Sequence, residues 1–174
     1  MNMILRTERL LLRRAGVEDA SAMHAILSDP VAMRYWSSLP HTDLAESQAW
    51  ITGTIAAIEA RRSDDFLVER DGAVIGKAGL WNGNELGFLF AASVWGKGYA
   101  REAVAAVIAR GFTAGDHDEI RAEVDPRNEA CLRLLLRLEF RETGRALRTW
   151  CIGGEWSDSV YLALARPLSA TAGS

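Results

Sequence analysis

The segment Val94-Trp95-Gly96-Lys97-Gly98-Tyr99-Ala100-Arg101 limits what this chain can fold into more than any other stretch. It follows an almost wholly apolar run from Asn84 to Ala92, which predicts a strand, and passes directly into a segment from Ala100 to Thr113 that predicts a helix. Glycines at 96 and 98 let the backbone adopt conformations closed to other residues and come close to a ligand. The amides of the following helix's first turn lack intrahelical partners and carry about half a positive charge between them. Lys97 adds a full charge. A strand, a small-residue loop and a helix N-terminus in this order make an anion cradle. It is not a Walker loop, because Ala91 stands where the first glycine should be and Gly98 follows the lysine where a magnesium-binding hydroxyl should be. A dinucleotide fingerprint fails as well: counting from Gly96, Arg101 occupies the third glycine position, and no repeating βαβ pattern surrounds the loop.

The elements around the cradle alternate. Arg9 to Arg14 reads as a strand, and Glu18 to Ser28 as a helix stopped at Asp29-Pro30, since the residue before proline leaves the helical region. Thr42 is a plausible N-cap for a second helix reaching about Arg61. Strands at Phe66–Arg70 and Ala73–Trp81 flank Asp71-Gly72, a dipeptide suited to a tight hairpin, and Asn82-Gly83 turns toward the strand that opens at Glu85. After the Ala100 helix come a strand at Ile120–Val124, a helix at Asn128–Leu138 and a last hairpin turning at Gly153-Gly154. This order predicts an α/β fold with a mixed sheet. At 174 residues and 49% apolar content the chain suits one compact domain, over 1–168, with a disordered tail at 169–174. A net charge of -3 argues against nonspecific nucleic-acid binding. No apolar stretch approaches the ~20 residues that span a bilayer, and no secretory signal is apparent, so the expectation is a cytoplasmic protein without a membrane partner. Cys131 and Cys151 should then remain free thiols.

Several short motifs, in order, carry a resemblance. Thr7-Glu8-Arg9-Leu10-Leu11-Leu12-Arg13-Arg14, Glu18-Asp19-Ala20 and Ser28-Asp29-Pro30-Val31-Ala32-Met33-Arg34-Tyr35-Trp36 open the chain. Glu85-Leu86-Gly87-Phe88, the loop from Trp95 to Ala103, Asp125-Pro126-Arg127-Asn128-Glu129-Ala130-Cys131 and Gly153-Gly154-Glu155-Trp156-Ser157-Asp158-Ser159-Val160-Tyr161 follow. Together they resemble the RimJ/RimL-type branch of the GNAT acyltransferases, whose coenzyme A diphosphate loop is written Gln/Arg-x-x-Gly-x-Gly/Ala. Trp95 replaces the Gln or Arg at the head of the matched stretch. The resemblance implies a single GNAT-like domain with a mixed, mostly antiparallel sheet of about seven strands flanked by about four helices.

It also implies an acetyl-CoA-dependent N-acetyltransferase that needs no metal. The diphosphate would lie on Trp95, Gly96, Lys97, Gly98, Tyr99, Ala100 and Arg101, and the pantetheine arm would pair with the backbone of Phe88, Leu89 and Phe90. Asn128 would bind a pantetheine amide or cap its helix. The acceptor would be an amine, either a peptide N-terminus or a small molecule, attacking the thioester in a gap between two splayed strands. An aliphatic ammonium with pKa near 10.4 is only about one part in 10³ neutral at pH 7, so it needs a base, whereas an α-amine with pKa near 8 scarcely does. Glu85 is the best-placed base, with Glu123 and Asp125 weaker, Asp125 because its turn uses it locally. Cys131 stands where the branch has Ser, placed to protonate the departing thiolate. Near its helix N-terminus it could instead be reactive, or simply pack as a small hydrophobe. Tyr35, Trp36 and Trp81 fall where the fold has its acceptor-side wall, and such aromatics can hold a cationic amine.

Two departures from the branch stand out. Leu138-Glu139-Phe140 replaces its usual Asn-Gly-Phe, so the helix must end without a glycine, and Trp150 lies in the region where some RimL-like enzymes carry a glutamate base. A coenzyme A-binding module without turnover and an acyltransferase with another donor or acceptor are the alternative readings. Homodimerisation is left open.

Overall fold

The computed structural model describes residues 3–115 and 117–167, and the tail expected at 169–174 lies outside them. Eight strands form one sheet: β1 (Ile4–Arg6), β2 (Leu11–Arg13), β3 (Ser63–Arg70), β4 (Ala73–Trp81), β5 (Glu85–Phe90), β6 (Glu119–Val124), β7 (Arg141–Ile152) and β8 (Glu155–Ala165). Their spatial order is β1-β2-β3-β4-β5-β6-β8-β7. All neighbours are antiparallel except β5 and β6, which run parallel. The helices are α1 (Ala20–Leu27), α2 (Leu44–Glu59), α3 (Tyr99–Ala114) and α4 (Glu129–Arg137). The sequence-based count of about seven strands misses β1, a three-residue edge strand with no periodicity long enough to detect.

Local chemistry explains most boundaries. α2 is capped by Asp43, not Thr42. The Asp43 carboxylate accepts the Glu46 amide at 3.0 Å, while Glu46 reaches back to the Thr42 amide at 2.8 Å. The acidic pair at a spacing of three favours that register by meeting amide donors at both ends of the turn. α4 ends on Leu138, and Glu139 then adopts φ 68, the left-handed conformation usually left to glycine. Phe140 donates its amide to Leu135 and Glu139 donates to Leu136, both at 3.1 Å, which completes a Schellman motif without the glycine. Burial of Phe140 (2% exposed) against the core holds this turn in place.

Two apolar clusters sandwich the sheet. The larger joins β2–β6, β8, α3 and α4, from Leu12 and Phe66 through Val104 and Val107 to Ile120, Val124 and Leu162. The smaller lies on the opposite face, where Met23, Ile26, Leu27 and Ile51 of α1 and α2 cover Leu67 and Leu89. It stops at β5. On that face neither apolar cluster extends over β6 and β8 among the described residues, and the segment between α1 and α2 reaches the ends of these strands, with Tyr35 beside Arg127 and Leu39 near the β7–β8 turn at Gly153.

Candidate active site

Alternation along β5 sends Leu86, Phe88 and Phe90 into the larger cluster and leaves Glu85, Gly87 and Leu89 on the opposite face. The only register pair between β5 and β6 is Glu85 with Arg121, reinforced by the Arg121 amide on the Asn84 carbonyl at 2.9 Å. Beyond it the parallel strands separate, so the β6-facing edge of Leu86–Phe90 has no strand partner. This is the splay that the resemblance implies, and its free edge can accept an extended amide-bearing chain.

The strand leads into the cradle. After Phe90 a short 3-10 turn, Ala92–Val94, brings the chain to Trp95, whose indole donates to the Phe90 carbonyl at 3.0 Å and fastens the loop to the strand end. Gly96 and Gly98 have φ of 74° and 83°, as the sequence requires of them. Gly98 is the N-cap of α3 and offers no side-chain acceptor, so the first-turn amides from Tyr99 to Arg101 face outward without a cap. Lys97 is turned back onto the Ser93 carbonyl at 3.0 Å, and the exposed Arg101 has no ion-pair partner among the described residues. The Tyr99 ring is 5% exposed, so its backbone and not its side chain belongs to the cradle.

Thr7 and Arg9, from outside the loop, brace it through Glu102 in the first turn of α3. Arg9 donates through Nε to Glu102 at 2.7 Å and through Nη1 to the Lys97 carbonyl at 3.0 Å, with its guanidinium stacked on Tyr99. Thr7 Oγ1 donates to Glu102 at 2.6 Å, and the Arg9 amide donates to the same carboxylate oxygen at 2.8 Å. Burial pushes the Glu102 carboxyl up, but the hydrogen bonds from Thr7 and Arg9 outweigh it and hold the group below its usual range. Sequence inspection gave these residues no role, because they lie more than ninety positions apart and form no local pattern.

On the acceptor face the register Asp65–Gly79–Gly87 crosses the sheet. A Cβ on Gly79 would lie 2.2 Å from Asp65 Oδ1, so the glycine makes room for that buried carboxylate. Asp65 receives no well-directed hydrogen bond at Oδ1, yet Lys77 Nζ lies 2.6 Å from it, and we read the pair as a satisfied buried ion pair beneath Trp36. Above Gly87 there is open space. Glu85 borders that opening with no hydrogen bond or ion pair among the described residues. Partial burial, and then the neighbouring Glu123 charge, push its carboxyl above the ordinary range.

The aromatic residues expected at the acceptor wall each face a cation of the chain itself: Trp36 packs on Lys77, Tyr35 on Arg34 and Arg127, and Trp81 on Arg62. Asp125 is bound locally, as the turn suggests, accepting the Arg127 amide at 2.9 Å and its guanidinium at 2.7 Å. Asn128 caps α4, its Oδ1 accepting the Cys131 amide at 3.2 Å, which leaves its amide NH₂ for a ligand. Cys131 is half-buried against the larger cluster, and burial pushes its thiol up to about 12. Desolvation of the thiolate thus opposes the activation that a place near the helix N-terminus would favour. Among the described residues no cluster of His, Cys, Asp or Glu could hold a metal ion, and no helix is long and apolar enough to cross a membrane.

A parallel pair splayed at one rung, with a glycine-built anion cradle at the end of one strand, is the arrangement that the resemblance to the coenzyme A-dependent GNAT acyltransferases implies. Residues 9–141 match the acetyltransferase (GNAT) domain, and the chain belongs to that family. An N-acetyltransferase of Bacillus licheniformis called p20 is 35% identical over 149 residues, which covers 80% of this chain and 83% of the relative. Spermidine N(1)-acetyltransferase of Escherichia coli K12 is 25% identical over 159 residues, 88% of this chain and 84% of the relative. Among solved structures, RimJ of Mycobacterium smegmatis, in complex with a CoA disulfide, superposes with a TM-score of 0.82 at 26% identity, covering 94% of this chain and 86% of that one. The chain is accordingly a GNAT-family acetyltransferase, with acetyl-CoA as the donor the family implies, and its structural likeness to RimJ agrees with the RimJ/RimL-type branch that its motifs resemble.

Proposed function

We propose that this protein transfers the acetyl group of acetyl-CoA to a primary amine by direct attack within a ternary complex, with Glu85 as the base. The observation that carries this reading is the unpartnered Glu85 carboxylate beside the open space over Gly87, at the closed end of the β5–β6 splay. Diphosphate held on the amides of Gly96 to Arg101 and pantetheine along the free β5 edge bring the thioester to Leu89, about four residues or ~13 Å along the strand from Glu85. One or two waters bridge that span to the incoming amine. Glu85 takes a proton from the ammonium, and the freed nitrogen attacks the thioester carbon while a backbone amide near Leu89, on the free β5 edge, stabilises the oxyanion. The C–S bond then breaks, the remaining excess proton on nitrogen passes to the departing sulfur, and Glu85 releases its proton to solvent. With its thiol pushed up to about 12, Cys131 stays protonated and serves this step as a hydrogen-bond donor to sulfur, not as a nucleophile.

The acceptor side is roofed by the α1–α2 segment that carries Tyr35 and Trp36, which suits a small molecule or the thin end of a peptide. Spermidine and protein N-termini are acceptors of the kind that related enzymes are named for. The test is thiol release from acetyl-CoA across polyamines, amino acids and peptides. Glu85→Gln should lower turnover by about 10² or more with little change in cofactor affinity, and the wild-type rate should rise with pH through the elevated Glu85 titration, since only the carboxylate is a base. An unaltered pH profile in Glu85→Gln refutes the base assignment.

A further inference from the structure

Trp150 occupies the region where some RimL-like enzymes carry a glutamate, and the structure shows what it does there. Its indole Nε1 donates to Glu123 Oε1 at 2.7 Å. Ser159, 2% exposed, donates to the same oxygen, and Thr149 Oγ1 lies 2.6 Å from the Ser159 hydroxyl. Three strands thus converge on one carboxylate, β6 supplying it and β7 and β8 fixing its direction. Glu123 is two residues beyond Arg121 on β6, hence on the same face as Glu85 and across the widening gap from Gly87. Its Oε2 makes no hydrogen bond among the described residues. The nearest cation along the strand, Arg121, is ion-paired to Glu119 and so turned away. Two carboxylates therefore face one half-buried wedge, neither of them ion-paired to a cation among the described residues, and beside them lies the open space over Gly87.

Resting on the acetyltransferase reading above, we infer that Glu123, oriented by Trp150 and Ser159, seats the acceptor's ammonium over Gly87 while Glu85 removes its proton. The acceptor is then an alkylammonium carrying no carboxylate beside its amine. Two anions in a wedge attract such a cation and repel the carboxylate of a free amino acid. Trp150 and Ser159 are positioning residues, because they act through Glu123. An ammonium of ordinary lysine-like basicity also needs the base that this wedge contains, whereas an α-amine would leave it with little to do. The missing branch glutamate is replaced in function by a carboxylate from the neighbouring strand.

Steady-state kinetics with 1,5-diaminopentane, a Ser-Ala-Ala peptide amide and free alanine as acceptors test this. The diamine should give the highest kcat/KM, at least 10-fold above alanine. Glu123→Gln should raise KM for the diamine by 10-fold or more with KM for acetyl-CoA unchanged, and Trp150→Phe, which keeps the ring and loses only the N–H, should raise it about 3-fold to 10-fold. Glu85→Gln should instead act on kcat and flatten the pH profile. Diamine KM within twofold of wild type in both Glu123→Gln and Trp150→Phe, or equal shifts in the KM of both substrates, overturns the inference while the acetyltransferase reading stands. Calorimetry with the diamine and coenzyme A separates the other case: Glu123-dependent binding without turnover of any acceptor refutes the acetyltransferase reading alone. Neither turnover nor binding refutes both.

Discussion

Replacing Gly98 with valine adds a β-branched side chain at φ 83, where an ordinary L-residue costs about 1–2 kcal/mol and a β-branched one more. The new Cβ would also lie 3.3 Å from Arg9 Nη2, so the guanidinium that braces the loop has to give by a few tenths of an ångström. The chain can relieve this strain by rotating the loop out of the conformation that aims the first-turn amides of α3 at an anion. If about 2–3 kcal/mol is transferred to binding in this way, coenzyme A affinity falls by roughly 30-fold to 150-fold. Gly96→Ala is the matched control, since φ is 74 there but nothing lies within 4 Å of the added Cβ, and only the smaller strain remains. Isothermal calorimetry with coenzyme A reads the affinities, and a thermal melt reads whether the folded chain absorbed the strain instead. Gly98→Val with native affinity and native melting temperature would refute both the cradle and the strain argument. Lys97→Ala, by contrast, should change affinity by less than about 3-fold, because that ammonium already spends itself on the Ser93 carbonyl.

Arg9→Ala should raise KM for acetyl-CoA by about 10-fold, because it leaves the Glu102 carboxylate uncompensated at a helix end meant for an anion, and adding Glu102→Gln should recover most of the loss; initial-rate kinetics on the single and double variants decide it. Cys131→Ser should keep most activity and Cys131→Ala should lose up to about 10-fold, with no acetyl adduct on the wild-type thiol by intact-protein mass spectrometry. Glu139→Gly should stabilise the fold by about 0.5–1 kcal/mol, since relief of the left-handed strain at φ 68 exceeds the entropy glycine adds to the unfolded chain. Calorimetric melting should show it as a rise of about 1–4 °C.

What could be read in the chain beforehand was whatever is encoded within a few residues. The cradle glycines, the Asp71-Gly72 turn, the stop before Pro30 and the Asn128 cap all express local chemistry, and each stands where the residues place it. The α2 cap was legible too, through Asp43 and Glu46 at a spacing of three, but the adjacent Thr42 is an equally good cap in isolation. The brace on Glu102 and the convergence of Trp150, Ser159 and Glu123 were not legible, because register between distant strands creates them and no short pattern records it. The Cys131 thiol shows the same limit. Its place near a helix N-terminus argues for a lowered pKa, and only the packing around it reveals the burial that pushes the other way.

The sheet is bound asymmetrically at its single parallel rung. On the α3–α4 face one apolar cluster runs unbroken across β5 and β6, while on the other face the cluster ends at β5 and only the α1–α2 segment crosses over. The sheet therefore resembles an open book glued along one cover: its halves are joined by the continuous cluster on the α3–α4 face and bridged on the other face by the α1–α2 segment, which lies over the opening as a flap. Donor and acceptor enter such a book from different directions, the donor along the exposed edge of one page and the acceptor beneath the flap. An enzyme built this way can exchange its acceptor by remodelling the flap, residues 28 to 43, and leave the donor edge untouched.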